Sequence, residues 1–144
     1  QNNFSVVNDV SGVQDQRMIT TLRKHSAGLI LTHRNKNSSS IHDKVDYKDI
    51  VRDVKNDLMK QVENILELGV NRDQIAIDVG LGFGKTQEQS ATLFESIGQF
   101  VGDYPLVVGY SRKKFTKLLK TSDEELLNHC QNQGVSLVRL HFID

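Results

Sequence analysis

Tryptophan is absent from this 144-residue sequence, and cysteine and proline occur once each, as Cys130 and Pro105. A lone thiol closes no internal disulfide, so a packed core must hold the fold, and a reducing, cytoplasmic compartment is expected. There is no run of 18 apolar residues, which argues against a membrane-spanning helix. Gln1 to Val10 lacks the basic and apolar parts of a signal peptide. Neither sign of charge is in excess: 18 Lys and Arg stand against 18 Asp and Glu. A balanced chain has no broadly basic face, so neither nucleic acid nor a membrane is expected as a partner. Aromatic residues make up 6% and apolar residues 38%, so the core must be largely aliphatic. What remains suffices for one domain over residues 1–144, since a chain of this length buries roughly 68–70% of its unfolded surface.

Five apolar runs rich in Val, Ile and Leu read as buried strands: Phe4–Val7, Ala27–Leu31, Ile75–Ile77, Leu106–Val108 and Ser136–Leu140. Helical periods lie between them. Tyr47, Val51, Val54, Leu58, Val62 and Ile65 step by three or four, with Gly69 where a C-terminal cap belongs. Met18, Ile19 and Leu22 form a weaker stripe closed by Gly28, and Leu93, Ile97 and Val101 another. Ser122 and Glu125 have capping-box spacing ahead of Leu126. The polar tract Asn35–Ser40 reads as a loop. Strand and helix therefore alternate, which implies a parallel sheet with right-handed crossovers. The strand centres near 76, 107 and 138 are 31 residues apart. That is the beat of an eight-unit β/α barrel, whose about 250 residues allot about 31 to each unit. Five strands would form an open sheet or part of a barrel.

Four clusters carry polar chemistry at strand ends. The first runs from Ile75 to Thr86, where Asp78 ends a strand and Gly80, Gly82, Gly84 and Lys85 follow. It is no P-loop, because position 79 is Val79 rather than glycine, and its G-x-G-x-G spacing misses the dinucleotide fingerprint. A tight connection needing positive φ is one account. A ligand loop is the other, because a buried carboxylate at a strand end demands a partner. The second cluster places Ser111, Arg112, Lys113 and Lys114 after a buried strand and at a helix start. Charge alone leaves open a solvated basic face or a site for an anionic or carbonyl-bearing ligand. In the third, Arg139 and His141 are two apart, so on a strand both point the same way, as suits a phosphate. In the fourth, Asn8 and Asp9 end the first strand, where such a pair is usually turn chemistry. His33 ends the second strand, whereas His25, His42 and His129 read as surface residues. No Cys, His and carboxylate set has metal-ligand spacing.

Taken in order, VVNDVSG at 6–12, LILTHRN at 29–35, IAIDVGLGFGKT at 75–86, LVVGYSRKKF at 106–115 and LVRLH at 137–141 resemble the dihydropteroate synthases of the pterin-binding superfamily. The resemblance implies a TIM (β/α)8 barrel, represented here by strands four to eight as a partial barrel of about five β/α units. It implies condensation of 6-hydroxymethyl-7,8-dihydropterin pyrophosphate with p-aminobenzoate, releasing pyrophosphate, in folate synthesis. With it come Mg²⁺ as cofactor, sensitivity to sulfonamides and a homodimer for the complete protein. By position, Asp78, Asn8 and Lys113 would read the pterin edge, and Phe83 and Gly109 would shape the pocket wall. Arg139 would lie against the ring and, with His141, hold the pyrophosphate; Ser111 and Lys114 would flank the p-aminobenzoate pocket. Lys113, Arg139 and His141 are the residues that would assist catalysis, and no metal ligand falls within this chain. A non-catalytic pterin-binding homologue and a methyltetrahydrofolate methyltransferase of the same superfamily are the alternatives.

The sequence departs from the family pattern at Val79, where proline is usual, at Thr32, where methionine is frequent, and at Phe142, where Asp-Val usually follows the histidine. The stretch from Phe115 to Gly134 is about ten residues shorter than the barrel beat suggests. Nothing matches the first three strands of the family barrel with their Asn-x-Thr-Pro-Asp-Ser-Phe and Glu-Ser-Thr-Arg-Pro-Gly loops, or its last helix. A fragment of a longer protein is therefore expected.

Overall fold

The computed structural model describes residues 5–13, 15–34 and 46–141. The tract at Asn35–Ser40, His42 and Phe142 lie outside those residues. The elements run β1 (Val6–Asp9), α1 (Gln16–His25), β2 (Gly28–Thr32), α2 (Ile50–Glu67), β3 (Ile75–Asp78), α3 (Gln87–Glu95), β4 (Leu106–Val108), α4 (Thr116–Leu119), α5 (Asp123–Asn132) and β5 (Leu137–Val138). The five strands pair in chain order and all in parallel. These are consecutive β/α units of a (β/α)8 TIM barrel. No helix among the described residues is long and apolar enough to cross a membrane.

Local chemistry sets the helix ends. The Asp49 carboxylate accepts from the Arg52 amide at 3.1 Å and opens α2, whose stripe of Val54, Leu58, Val62 and Ile65 is buried. Gly69 follows it at φ +84°, as its capping role requires. Ser122 and Glu125 form the expected capping box at α5. Two expectations about helix ends fail. Ser26, in left-handed conformation, terminates α1, and Gly28 is already the first residue of β2. The periodic stripe after Leu93 breaks where α3 ends at Glu95 and a 3₁₀ turn takes Ile97–Phe100, which leaves Val101 exposed.

The register assigns residues to the two faces of the sheet, because neighbours across a parallel ladder share a face and alternate along each strand. Leu29, Leu31, Ile75, Ile77, Leu106 and Val108 form the face under the helices and are buried. Asn8, Ile30, Thr32, Ala76, Asp78 and Val107 form the other face, toward the barrel axis. The strands are therefore not buried on both sides throughout. Val6 and Leu137, on the two outermost strands, are 53% and 54% exposed. Among the described residues β1 and β5 each pair on one side only. Unpaired ladder edges beside exposed apolar side chains recruit further strands. The isolated 144-residue polypeptide is accordingly expected to self-associate in analytical ultracentrifugation, and a monomer with a sharp cooperative melt would contradict this.

Candidate active site

Asp78 is the last residue of β3 and is 3% exposed although its face looks toward the barrel axis. Its Oδ1 accepts from the Gly80 amide at 2.8 Å, and its Oδ2 stands 3.5 Å from Arg139 Nη2. Burial raises its pKa above the ordinary carboxylate value, against the pull of the Gly80 N–H and of Lys113, Arg139 and Lys85. One carboxylate oxygen edge thus faces a ring of cations.

The glycine loop wraps this carboxylate. Gly80, Gly82 and Gly84 all have positive φ, from +63° to +78°, and the Phe83 amide donates to the Gly80 carbonyl at 3.0 Å. A side chain at 80 is impossible without rearrangement, since a Cβ there would stand 2.1 Å from the His33 carbonyl oxygen. Lys85 does not reach outward as a P-loop lysine would. Its ammonium lies inside, 2.9 Å from the Gly80 carbonyl, 3.1 Å from that of Phe83 and 3.0 Å from His33 Nδ1. Burial pushes the Lys85 pKa down to about 7, opposed by Asp78 and reinforced by Lys113. His33, wholly buried, has its pKa pushed down to about 4, mainly by desolvation. With Lys85 as an ammonium, which offers only donors, Nδ1 is the acceptor and the ring proton falls to Nε2, which stands 3.6 Å from Asp57 Oδ2. His33 therefore belongs to the helix side of the sheet and not to the axis-facing group.

The basic segment after β4 is a turn, not the start of a helix: residues 111–115 precede the four-residue α4. Arg112 takes a left-handed φ of +60°, which lets Lys113 turn back over the glycine loop. The Lys113 ammonium donates to the Leu81 carbonyl and lies 5.1 Å from the centre of the Phe83 ring, a cation–π contact. Burial lowers the Lys113 pKa, with Asp78 opposing. A cavity of about 680 Å³ opens beside this pair, lined by Leu81, Gly82, Phe83, Thr86, Lys113, Lys114 and Phe115 among others. Lys114 is exposed at its rim, whereas Ser111 is outside the lining and its hydroxyl accepts from the His141 amide at 3.3 Å.

β5 ends at Val138, so strand alternation does not itself carry Arg139 and His141. The Arg139 amide still bonds the Val108 carbonyl at 2.8 Å, which holds its side chain next to Asp78. Gly109 makes room for it, because a Cβ there would meet the guanidinium at 3.2 Å. His141 is exposed, tied to the group through Ser111. Asn8 is exposed on β1, and its side-chain carbonyl accepts from the Thr32 hydroxyl at 3.3 Å. Asp9 does the turn chemistry, accepting from Ser11 and from the Val13 amide at 2.7 Å. Asp78, Phe83, Gly109, Lys113 and Arg139 thus form one contiguous group, with Lys114, Ser111, His141 and Asn8 at its margins. The inward turn of Lys85 was not foreseeable from charge. A lysine directly after a third alternating glycine is the signal that could have flagged it.

A family model described as "Pterin binding enzyme" matches residues 1–141. The chain is 34% identical over 121 residues to a dihydropteroate synthase of Synechocystis, covering 82% of this chain and 42% of that protein. It is 30% identical over 147 residues to a dihydropteroate synthase of Bacillus subtilis, covering 95% of this chain and 49% of that protein. The chain thus spans less than half the length of either relative. Among solved structures it superposes on a Plasmodium falciparum HPPK-DHPS variant with pterin and p-hydroxybenzoate at TM-score 0.80 and 29% identity, over 95% of this chain and 28% of that one. With five matching parallel units and a family match over nearly its whole length, the chain belongs to the pterin-binding enzyme family.

Proposed function

We propose that this chain carries the pterin half of a dihydropteroate synthase site. The observation that carries the reading is Asp78: a buried carboxylate at the axis-facing end of a barrel strand, flanked by Arg139 and Lys113. A pterin presents adjacent amino and ring N–H groups, which two carboxylate oxygens can accept in parallel. Lys113 supplies a cation for the carbonyl side of the same ring, and Asn8 lies on the same sheet face one strand beyond Thr32. The cavity beside Phe83, Lys113 and Lys114 suits a flat aromatic amine bearing a carboxylate. In the reaction the amine nitrogen bonds the pterin methylene carbon while the carbon–oxygen bond to diphosphate breaks. The amine loses one proton, and the products are 7,8-dihydropteroate and pyrophosphate. Negative charge grows on the departing oxygens, where Arg139 and His141 would stabilise it.

Among the described residues no group of three or more His, Cys, Asp or Glu could hold a metal ion. Mg²⁺, which the resemblance implies, would neutralise charge on the leaving diphosphate in this reading. The test is turnover in the full-length protein. Dihydropteroate should form from the two substrates, and Lys113→Ala should lower kcat/KM by about 100-fold, a loss near 2.7 kcal/mol of transition-state binding. Pterin binding by calorimetry without condensation would instead support the non-catalytic homologue. Unchanged kinetics in Lys113→Ala would remove that residue from the site.

A further inference from the structure

Lys85 has no role in the chemistry above, although it also lines the cavity, and it is among the most deeply set charges of the described residues, 7% exposed. Its three acceptors come from two elements. The Gly80 and Phe83 carbonyls are the two ends of one turn, already closed by the Phe83 amide on the Gly80 carbonyl. His33 Nδ1 comes from the end of β2, and its other ring nitrogen faces Asp57 on α2. An ammonium carries three N–H donors, and here each has its own acceptor.

The turn so gripped holds two groups that matter to the neighbouring cavity. Phe83 projects its ring beside the Lys113 ammonium, and Leu81 supplies the carbonyl that this ammonium bonds. We propose that Lys85 is a positioning residue: by clasping the Gly80 and Phe83 carbonyls against His33, it sets Phe83 and Lys113 for the aromatic amine substrate. The role rests on the dihydropteroate synthase reading for the identity of that substrate, but the clasp itself is a property of the loop. Because Gly80 and Gly82 have no side chains to brace them, a turn of this composition has little intrinsic preference for one shape. The buried ammonium provides the preference. Arg139 is held independently, through the Val108 carbonyl, whereas Asp78 bonds the Gly80 amide of the clasped turn, so the pterin side depends on the clasp only in part.

The experiment compares Lys85→Met with the parent in the full-length protein. Expected are a rise of about tenfold in KM for p-aminobenzoate, kcat changed less than threefold, and a smaller rise, about threefold, in the pterin dissociation constant, because Lys113 and the Gly80 amide serve that side as well. Amide hydrogen exchange at residues 80–84 should quicken, which a purely electrostatic role would not produce. Unchanged KM for p-aminobenzoate together with unchanged exchange at 80–84 would overturn the proposal. So would an equal loss for both substrates, which would mark Lys85 as a general structural prop. If Lys85→Met does not fold, Lys85→Arg serves, since its broad guanidinium keeps the charge but cannot satisfy these three acceptors in place. A several-fold rise in KM for p-aminobenzoate with a smaller loss of pterin binding supports the clasp there, and unchanged kinetics and exchange overturn it. If the full-length parent forms no dihydropteroate at all, the reaction assigned above fails, and the exchange comparison still decides whether Lys85 shapes the loop.

Discussion

Asp78→Asn is expected to weaken pterin binding by roughly 1000-fold or more and to lower turnover in proportion, without lowering thermal stability at neutral pH. The binding loss follows from hydrogen-bond polarity. An amide keeps one acceptor and replaces the other by an NH₂ donor, which would face a pterin N–H, and buried sites discriminate strongly against such mismatches. The stability expectation follows from linkage. Burial raises the folded-state pKa of Asp78 above the ordinary carboxylate value, so folding makes its ionisation harder. The stability that this group contributes is present below about pH 4 and is lost as pH climbs through the folded value. An uncharged amide does not suffer that loss, so the variant should melt no lower than the parent at pH 7. Calorimetric titration with pterin and a thermal melt check both halves. Unaltered pterin affinity would remove Asp78 from the site, and a large fall in melting temperature would give it a structural role instead.

Gly80→Ala should do the opposite, striking the fold before the chemistry. The new Cβ would sit 2.1 Å from the His33 carbonyl oxygen, and Gly80 already holds φ at +67°. The backbone of residue 33 cannot retreat, because its amide is bonded to the Asp78 carbonyl at 2.8 Å as the β2–β3 ladder runs out. Collision and strained dihedral together place the loss at about 4 kcal/mol or more. The corresponding fall in melting temperature is on the order of 10 °C. Gly82→Ala is the internal comparison. Its φ is as positive, at +78°, but the nearest atom to its Cβ would be a Lys113 methylene at 3.8 Å. Only the dihedral penalty applies there, about 1–2 kcal/mol. Differential scanning calorimetry on both variants tests the difference, and equal losses would contradict the steric argument.

The parallel order of elements was legible because each strand is a short Val, Ile and Leu run set between helical periods. The bounds were less so. β1 runs past its apolar run to Asp9, because Asn8 and Asp9, turn residues by type, both pair with β2. β5 stops short of its apolar run because ladder pairing ends at Val138, although the Arg139 amide still bonds the Val108 carbonyl. Asp78, Lys113 and Arg139 could be picked out since charges at the ends of apolar strands are conspicuous. What sequence could not assign was the direction each cation takes. Lys85 and Lys113 flank similar glycine and serine turns, but one points to the helix side at His33 and the other across the loop to Leu81. That choice is set by the left-handed backbone at Arg112 and by the space left over Gly80, neither of which shows in charge or periodicity.

The pairing order β1-β2-β3-β4-β5 also bears on how the molecule is made. Each of β2 to β5 pairs with the strand synthesised immediately before it, so none of these four ladders has to wait for a distant part of the chain. Growth of this kind can keep pace with emergence from a ribosome, one β/α unit at a time, with each crossover helix sealing the apolar face just formed. The loops that bear Asp78, Lys113 and Arg139 would then meet in the order in which they are translated. These three would come together only when β5 docks beside β4 and the Arg139 that follows it bonds the Val108 carbonyl.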